Sequence, residues 1–346
     1  MTNRGRCRIW HLFFLLVSVA LAAQCRAAAI NGTTGIAVQR GLQFLQKEAF
    51  AWKETRKCAA CHHAATTLWT FNEAKAAGYR VDEKALKMVT EWSFREVTNS
   101  LAIQAPPRDV VNLGWAYTLL SMETAPQFAN NPSAVSANLT VSGTPCGTND
   151  DIIQPARRIL IERIIAKQAT DGSWGKPLDE RVPLGGPIED IAVLCRLALL
   201  QTRDRSPSVV TCIEKAAHWL AANKDKTSRQ GRNLRLLMNL SEVKPGKELA
   251  QVIETIAAEQ NDDGGWSQMT ELGSDAYATG QTLYVLARAG VKPQATTMKR
   301  GVNFLIRTQL EDGSWAMHSR VNAKNLSPIT GAGTAWALLG LIRSPL

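Results

Sequence analysis

From residue 35 onward, apolar side chains return every three or four positions, in stretches that fall into about six pairs. That spacing lines them along one face of a helix. The pattern predicts helices over 36–50 and 58–77, 82–97 and 109–122, 152–167 and 189–202, 207–222 and 228–240, 247–259 and 275–289, and 297–308 and 331–343. Six such hairpins can close into a ring, whereas a tetratricopeptide-type array repeats every ~34 residues with other signature positions. The one interruption, 125–149, is rich in Asn, Ser, Thr and Pro and reads as a surface loop inserted between the second and third pairs. No linker divides the chain into two domains.

Several links between helices share a second pattern, Gln-x-x-x-Gly-x-Trp. It occurs at Gln168, Gly172 and Trp174, at Gln260, Gly264 and Trp266, and at Gln309, Gly313 and Trp315. The last two copies start 49 residues apart and the first two 92 apart, close to one and two periods. Gln ending a helix hydrogen-bonds backbone groups, Gly supplies a turn conformation that other residues resist, and Trp packs over the junction. The copies are therefore expected to staple helices together, with the tryptophans buried. An earlier relic, Gln46 to Trp52, keeps the Gln and Trp but has Phe50 in place of Gly.

The motif resembles the QW repeat of squalene-hopene cyclases, and the layout is similar to the terpenoid cyclase and protein prenyltransferase toroids. The resemblance implies an all-α fold, a single (α/α)6 toroid over residues 30–346, with the second helix of each pair lining the interior. It is specific for fold and weaker for chemistry, because one fold hosts many functions. The Asp-x-Asp-Asp acid of the cyclases is not intact: the nearest string is Thr148, Asn149, Asp150 and Asp151. Asp190 and Cys195 are too far apart for the prenyltransferase zinc motif, and no complement-type thioester is present. Cyclases place their substrate chamber between two toroids; this chain has length for about one.

Residues 1–29 read as a secretory signal peptide, with Arg4, Arg6 and Arg8 ahead of the apolar run 9–23 and alanines at 27–29. An exported protein, periplasmic or extracellular, is the expectation. Cleavage removes four arginines and no acid, lowering the net charge from +10 to +6. That charge suits contact with an anionic membrane surface, and no basic run resembles a nucleic-acid motif.

The strongest chemical signal is Cys58-Ala-Ala-Cys61-His62, followed by His63. It matches the pattern for covalent haem c, in which two thiols bond the haem and the adjacent His ligates iron, and export is the setting for that attachment. A Cys-x-x-Cys disulfide and a metal site using one of the histidines are competing readings, and no metal is assigned. Cys195 and Cys212 fall inside apolar helical patterns and read as buried thiols. The same Cys-x-x-Cys-His-His stretch resembles that of a group of exported bacterial squalene-cyclase-like proteins, and the segment from Asp312 to His318 and Arg320 is similar to their last repeat.

Aligning the inner helices puts a polar residue six positions before a large side chain: His63 before Trp69, Asp109 before Trp115, Asp190 before Arg196, Asp275 before Gln281 and Thr330 before Trp336. In register, these would ring one mouth of the toroid, where a ligand's polar end is read; singly, each also fits a helix N-cap. Arg320 joins them as a mouth candidate. Trp69, Trp115, Tyr117, Tyr277, Tyr284 and Trp336 are candidates for an aromatic wall, with core packing as the alternative role. Three functions are expected to compete: a toroid that binds or processes an apolar isoprenoid- or lipid-like ligand, a haem-bearing redox protein with a redox partner, and a non-catalytic partner-binding module. Catalytic residues are not identified.

Overall fold

The computed structural model describes residues 32–56, 63–99, 113–123, 150–175, 186–223, 228–242, 247–317 and 330–346. Among them are twelve helices: α1 (Thr33–Arg56), α2 (Ala64–Ala76), α3 (Glu83–Asn99), α4 (Leu113–Glu123), α5 (Asp150–Ala166), α6 (Ile188–Gln201), α7 (Pro207–Ala222), α8 (Arg229–Glu242), α9 (Lys247–Ala258), α10 (Ala276–Arg288), α11 (Thr296–Thr308) and α12 (Thr330–Arg343). Two isolated bridges, Gln168 with Trp174 and Trp266 with Asp275, are the extended pairings present among the described residues.

The even-numbered helices touch in sequence, α2 to α4, α4 to α6, α6 to α8, α8 to α10 and α10 to α12, and α12 returns to α2. They form a closed inner ring. Their composition fits that place: α12 and α10 are buried over almost their whole lengths, whereas the outer helix α9 buries one residue, Ile256. A helix with one apolar stripe lies outside a core; one that is apolar all round lies within it. Contacts at matching heights show the inner helices running in one direction: Asn72 reaches Ser121, Thr70 reaches Ala335, and Asn233 reaches Thr282. Their starts therefore share one mouth. At Gly280, an added Cβ would meet the Trp336 carbonyl oxygen at 2.2 Å, so α10 and α12 pack backbone against backbone.

The three Gln-x-x-x-Gly-x-Trp links share one geometry. Each Gln amide donates to its own link glycine carbonyl and to a carbonyl of a following outer helix: Gln168 to Gly172 and Cys212 of α7, Gln260 to Gly264 and Thr297 of α11, and Gln309 to Gly313 and Ala37 of α1. Each indole N–H donates to the last turns of the preceding outer helix, at Ile164, Ile256 and Leu305, over 2.7–2.9 Å. Trp174 and Trp315 are fully buried and Trp266 nearly so. The glycines have φ of 97°, 89° and 88°, and a Cβ on any of them would strike a backbone carbonyl of the neighbouring outer helix.

The relic at Gln46 to Trp52 is not a link. Both residues lie inside α1, which continues to Arg56. Without a glycine to adopt positive φ, nothing in that segment stops the helix. The helix predicted from residue 58 has its described start at Ala64; residues 57–62 lie outside the described set, as do 1–31 and 124–149.

Candidate functional site

Cys58, Cys61, His62, Asp109 and Arg320 lie outside the described residues. His63 immediately precedes α2, Asp190 is in the first turn of α6, Asp275 is the N-cap of α10 and Thr330 opens α12. All four are at the starts of parallel inner helices, hence at one mouth.

Three of the four, His63, Asp190 and Asp275, are tied to their neighbours. The His63 ring stacks on Trp52, with centroids 3.6 Å apart and planes 8° from parallel. Its Nε2 sits 3.6 Å from Glu48 Oε1. Asp190 accepts from the Ser228 amide at 3.1 Å and from the Ser228 hydroxyl, joining the starts of α6 and α8. A Cβ at Gly231 would overlap that carboxylate. Asp275 accepts from the Ala278 amide at 2.8 Å, a capping bond, and from the Gln268 amide.

Below the mouth, aromatic side chains meet across the ring. Trp69 of α2 touches Tyr284 of α10 and Trp336 of α12, edge to face, at 5.6 Å and 5.4 Å between centroids. Trp336 also contacts Tyr277 and Tyr284 at 6.2 Å and 6.1 Å. Trp115 is not part of this wall: it is half-buried, with the guanidinium of Arg163 from α5 5.0 Å from its ring. From α4 it is Tyr117 that reaches inward, accepting from Gln230 of α8 at 3.3 Å.

Under the aromatic cluster lies an ionic group built on a buried carboxylate and an arginine that reaches solvent. The Tyr284 hydroxyl donates to Glu73 Oε1 at 2.7 Å, and Arg343 pairs with Glu73 Oε2. The carboxylate is 1% exposed, so its charge requires these partners. Burial, then the adjacent Glu73 charge, pushes the Tyr284 phenol well above its usual range. Burial alone would depress the Arg343 guanidinium; Glu73, then Tyr284, raise it instead. The sequence signal for this group is a lone carboxylate in a helix otherwise made of Ala, Thr, Leu, Trp, Phe, Asn and one terminal Lys. Neither Arg343, on α12, nor Glu48, on α1, is marked by spacing as a partner.

A small recess opens between the starts of α8 and α10. A polar recess of about 20 Å³, room for about one water, is lined by Gln230, Asn233, Gln268, Tyr277 and Gln281. A wider open groove of about 630 Å³ runs instead between the first half of α1 and the α2–α3 link, past Ile36, Gln39, Gln43 and Arg80. Cys195 and Cys212 are free and buried, and burial pushes the Cys212 thiol up to about 12. Among the described residues no group of three metal-ligating side chains forms a metal site, and no helix is long and apolar enough to cross a membrane.

Residues 202–345 match the family model of the squalene-hopene cyclase C-terminal domain. Among solved structures, a polysaccharide lyase is similar in fold, with a TM-score of 0.54 over 90% of this chain and 97% of that one at 11% identity. An identity that low speaks for the fold alone. The closed inner ring and its stapled links are those of an α/α toroid, and its last three helix pairs are similar to the squalene-hopene cyclase C-terminal domain.

Proposed function

We propose that the protein is an exported toroid that binds an isoprenoid- or lipid-like ligand at the centre of its inner ring, and that it does so without cyclase chemistry. The supporting observation is the Trp69, Tyr277, Tyr284 and Trp336 cluster, contributed by three inner helices. Aromatic edges and faces offer an apolar chain large contact area at little entropic cost. The ligand enters from the mouth and turns these rings aside. Binding without cyclisation fits the acid motif: its nearest counterpart, Asp150 and Asp151, starts the outer helix α5 and not an inner one.

Protein exported through its own signal and purified from the periplasm should carry a co-purifying isoprenoid or lipid, identified by solvent extraction and mass spectrometry. The load should fall in Trp336→Ala. A load no greater than that of an unrelated periplasmic protein overturns the reading.

A second reading, covalent haem c on Cys58 and Cys61 with His62 as iron ligand, draws support from one contact. His63 is engaged by Trp52 and Glu48, which leaves His62 as the histidine of the stretch assigned to iron. A redox partner would then dock at the mouth. A pyridine haemochrome spectrum of protein co-expressed with a cytochrome c maturation system tests it; absence of covalent haem in folded, exported protein removes it.

A further inference from the structure

The side chains six positions after His63, Asp275 and Thr330 are Trp69, Gln281 and Trp336. All three are at most 2% exposed. Trp69 Nε1, Gln281 Nε2 and Trp336 Nε1 have no hydrogen-bond partner among the described residues. The stapling tryptophans are different: every one of their indole N–H groups has a carbonyl. The unmatched donors therefore do not follow from burying tryptophan in this fold.

The three share one level of the ring. Thr70, next to Trp69, donates to the carbonyl of Ala335, next to Trp336, and Gly280, next to Gln281, packs on the Trp336 carbonyl. Trp69 and Trp336 touch, and Gln281 lines the one-water recess beside Tyr277, which touches Trp336. Buried N–H groups that lack acceptors destabilise a fold unless something supplies them. All three are donors, so what is missing is an acceptor.

We infer that Trp69, Gln281 and Trp336 form a donor set that reads an acceptor oxygen, so the ligand is an oxygenated isoprenoid or lipid, bearing a carbonyl, ether or hydroxyl oxygen, and not a bare hydrocarbon. This rests on the binding reading proposed above. Gln281 meets the oxygen at the recess it lines, and the indoles of Trp69 and Trp336 stand at the same level of the ring. An apolar chain without oxygen leaves all three donors buried and unmatched, and the site discriminates against it for that reason.

The test compares farnesylacetone, whose ketone only accepts, with squalene, a hydrocarbon, by intrinsic tryptophan fluorescence in matched detergent with the full mature protein. The expected result is at least tenfold tighter binding of farnesylacetone. In Gln281→Met, similar in shape and lacking the donor, that preference should shrink to less than threefold with helicity unchanged by circular dichroism. Binding of both probes with equal affinity overturns the donor assignment and leaves the apolar-ligand reading standing. Binding of neither overturns that reading and the donor assignment with it. If Gln281→Met does not fold, the wild-type preference alone decides.

Discussion

The Gln309 side-chain amide donates to the carbonyl of Ala37, 272 residues earlier in the chain, over 2.9 Å. The same amide holds Gly313 at 3.0 Å, and the Arg40 guanidinium returns to the link at Leu310 and Glu311. The repeated staple thus fastens the last link to the first helix, and the chain closes on itself.

Gln309→Ala removes both amide bonds and should cost about 1 to 3 kcal/mol. Gln168→Ala should cost a similar amount, because its bonds are equivalent. The two differ in where they loosen the fold. Hydrogen exchange should show lost protection in α1 for Gln309→Ala and in α7 for Gln168→Ala. Unchanged α1 protection in Gln309→Ala would remove its role in ring closure.

Trp266 is 2% exposed and its indole donates to Ile256. Trp266→Ala should destabilise the protein by about 3 to 5 kcal/mol, the range for deleting a large buried side chain. Denaturant unfolding measures it. An unchanged midpoint would contradict the stapling role.

Arg343→Met leaves the buried Glu73 carboxylate without its cation and should cost about 3 to 5 kcal/mol, while Glu73→Leu with Arg343→Met should recover most of it. A double-mutant cycle reads the coupling directly. Equal losses in the single and double variants would show that the pair is not a unit.

The hairpin order, the link motifs and the mouth residues of α6, α10 and α12 were legible because they rest on local rules: apolar period, turn glycine, polar residue at a helix start. Gln46 to Trp52, the relic with Phe50 in place of glycine, forms no link because Gln and Trp without a positive-φ glycine do not break a helix. Trp115 takes the alternative role of packing against the core, because the six-residue register fixes height along an inner helix but not which way a side chain turns, and Arg163 lies over its ring. The Glu73, Tyr284 and Arg343 group joins three helices, and the unmatched donors at Trp69, Gln281 and Trp336 appear only once those helices are set side by side.

The links also set an acid limit. Asp171 accepts from the Ser173 amide and hydroxyl, and these bonds lower its pKa. Asp312 does the same with the Ser314 hydroxyl and amide. A carboxyl whose folded pKa is depressed contributes stability that is complete above its unfolded pKa of about 3.9 and is lost as pH falls through the lower folded value. Thermal midpoints should therefore drop below about pH 4, and Asp171→Asn with Asp312→Asn should flatten that acid limb. An identical acid limb in the double variant would mean that other groups set it.

The proposed ligand site is the aromatic cluster of the inner ring. A farnesyl probe carrying a diazirine, photolysed on the folded protein and mapped by peptide mass spectrometry, tests it most directly. Labelling is expected to concentrate in the α2, α10 and α12 peptides that carry Trp69, Tyr277, Tyr284 and Trp336, and to be competed away by unlabelled farnesylacetone. Labelling concentrated in α1 and the α2–α3 link, along the outer groove, would contradict it.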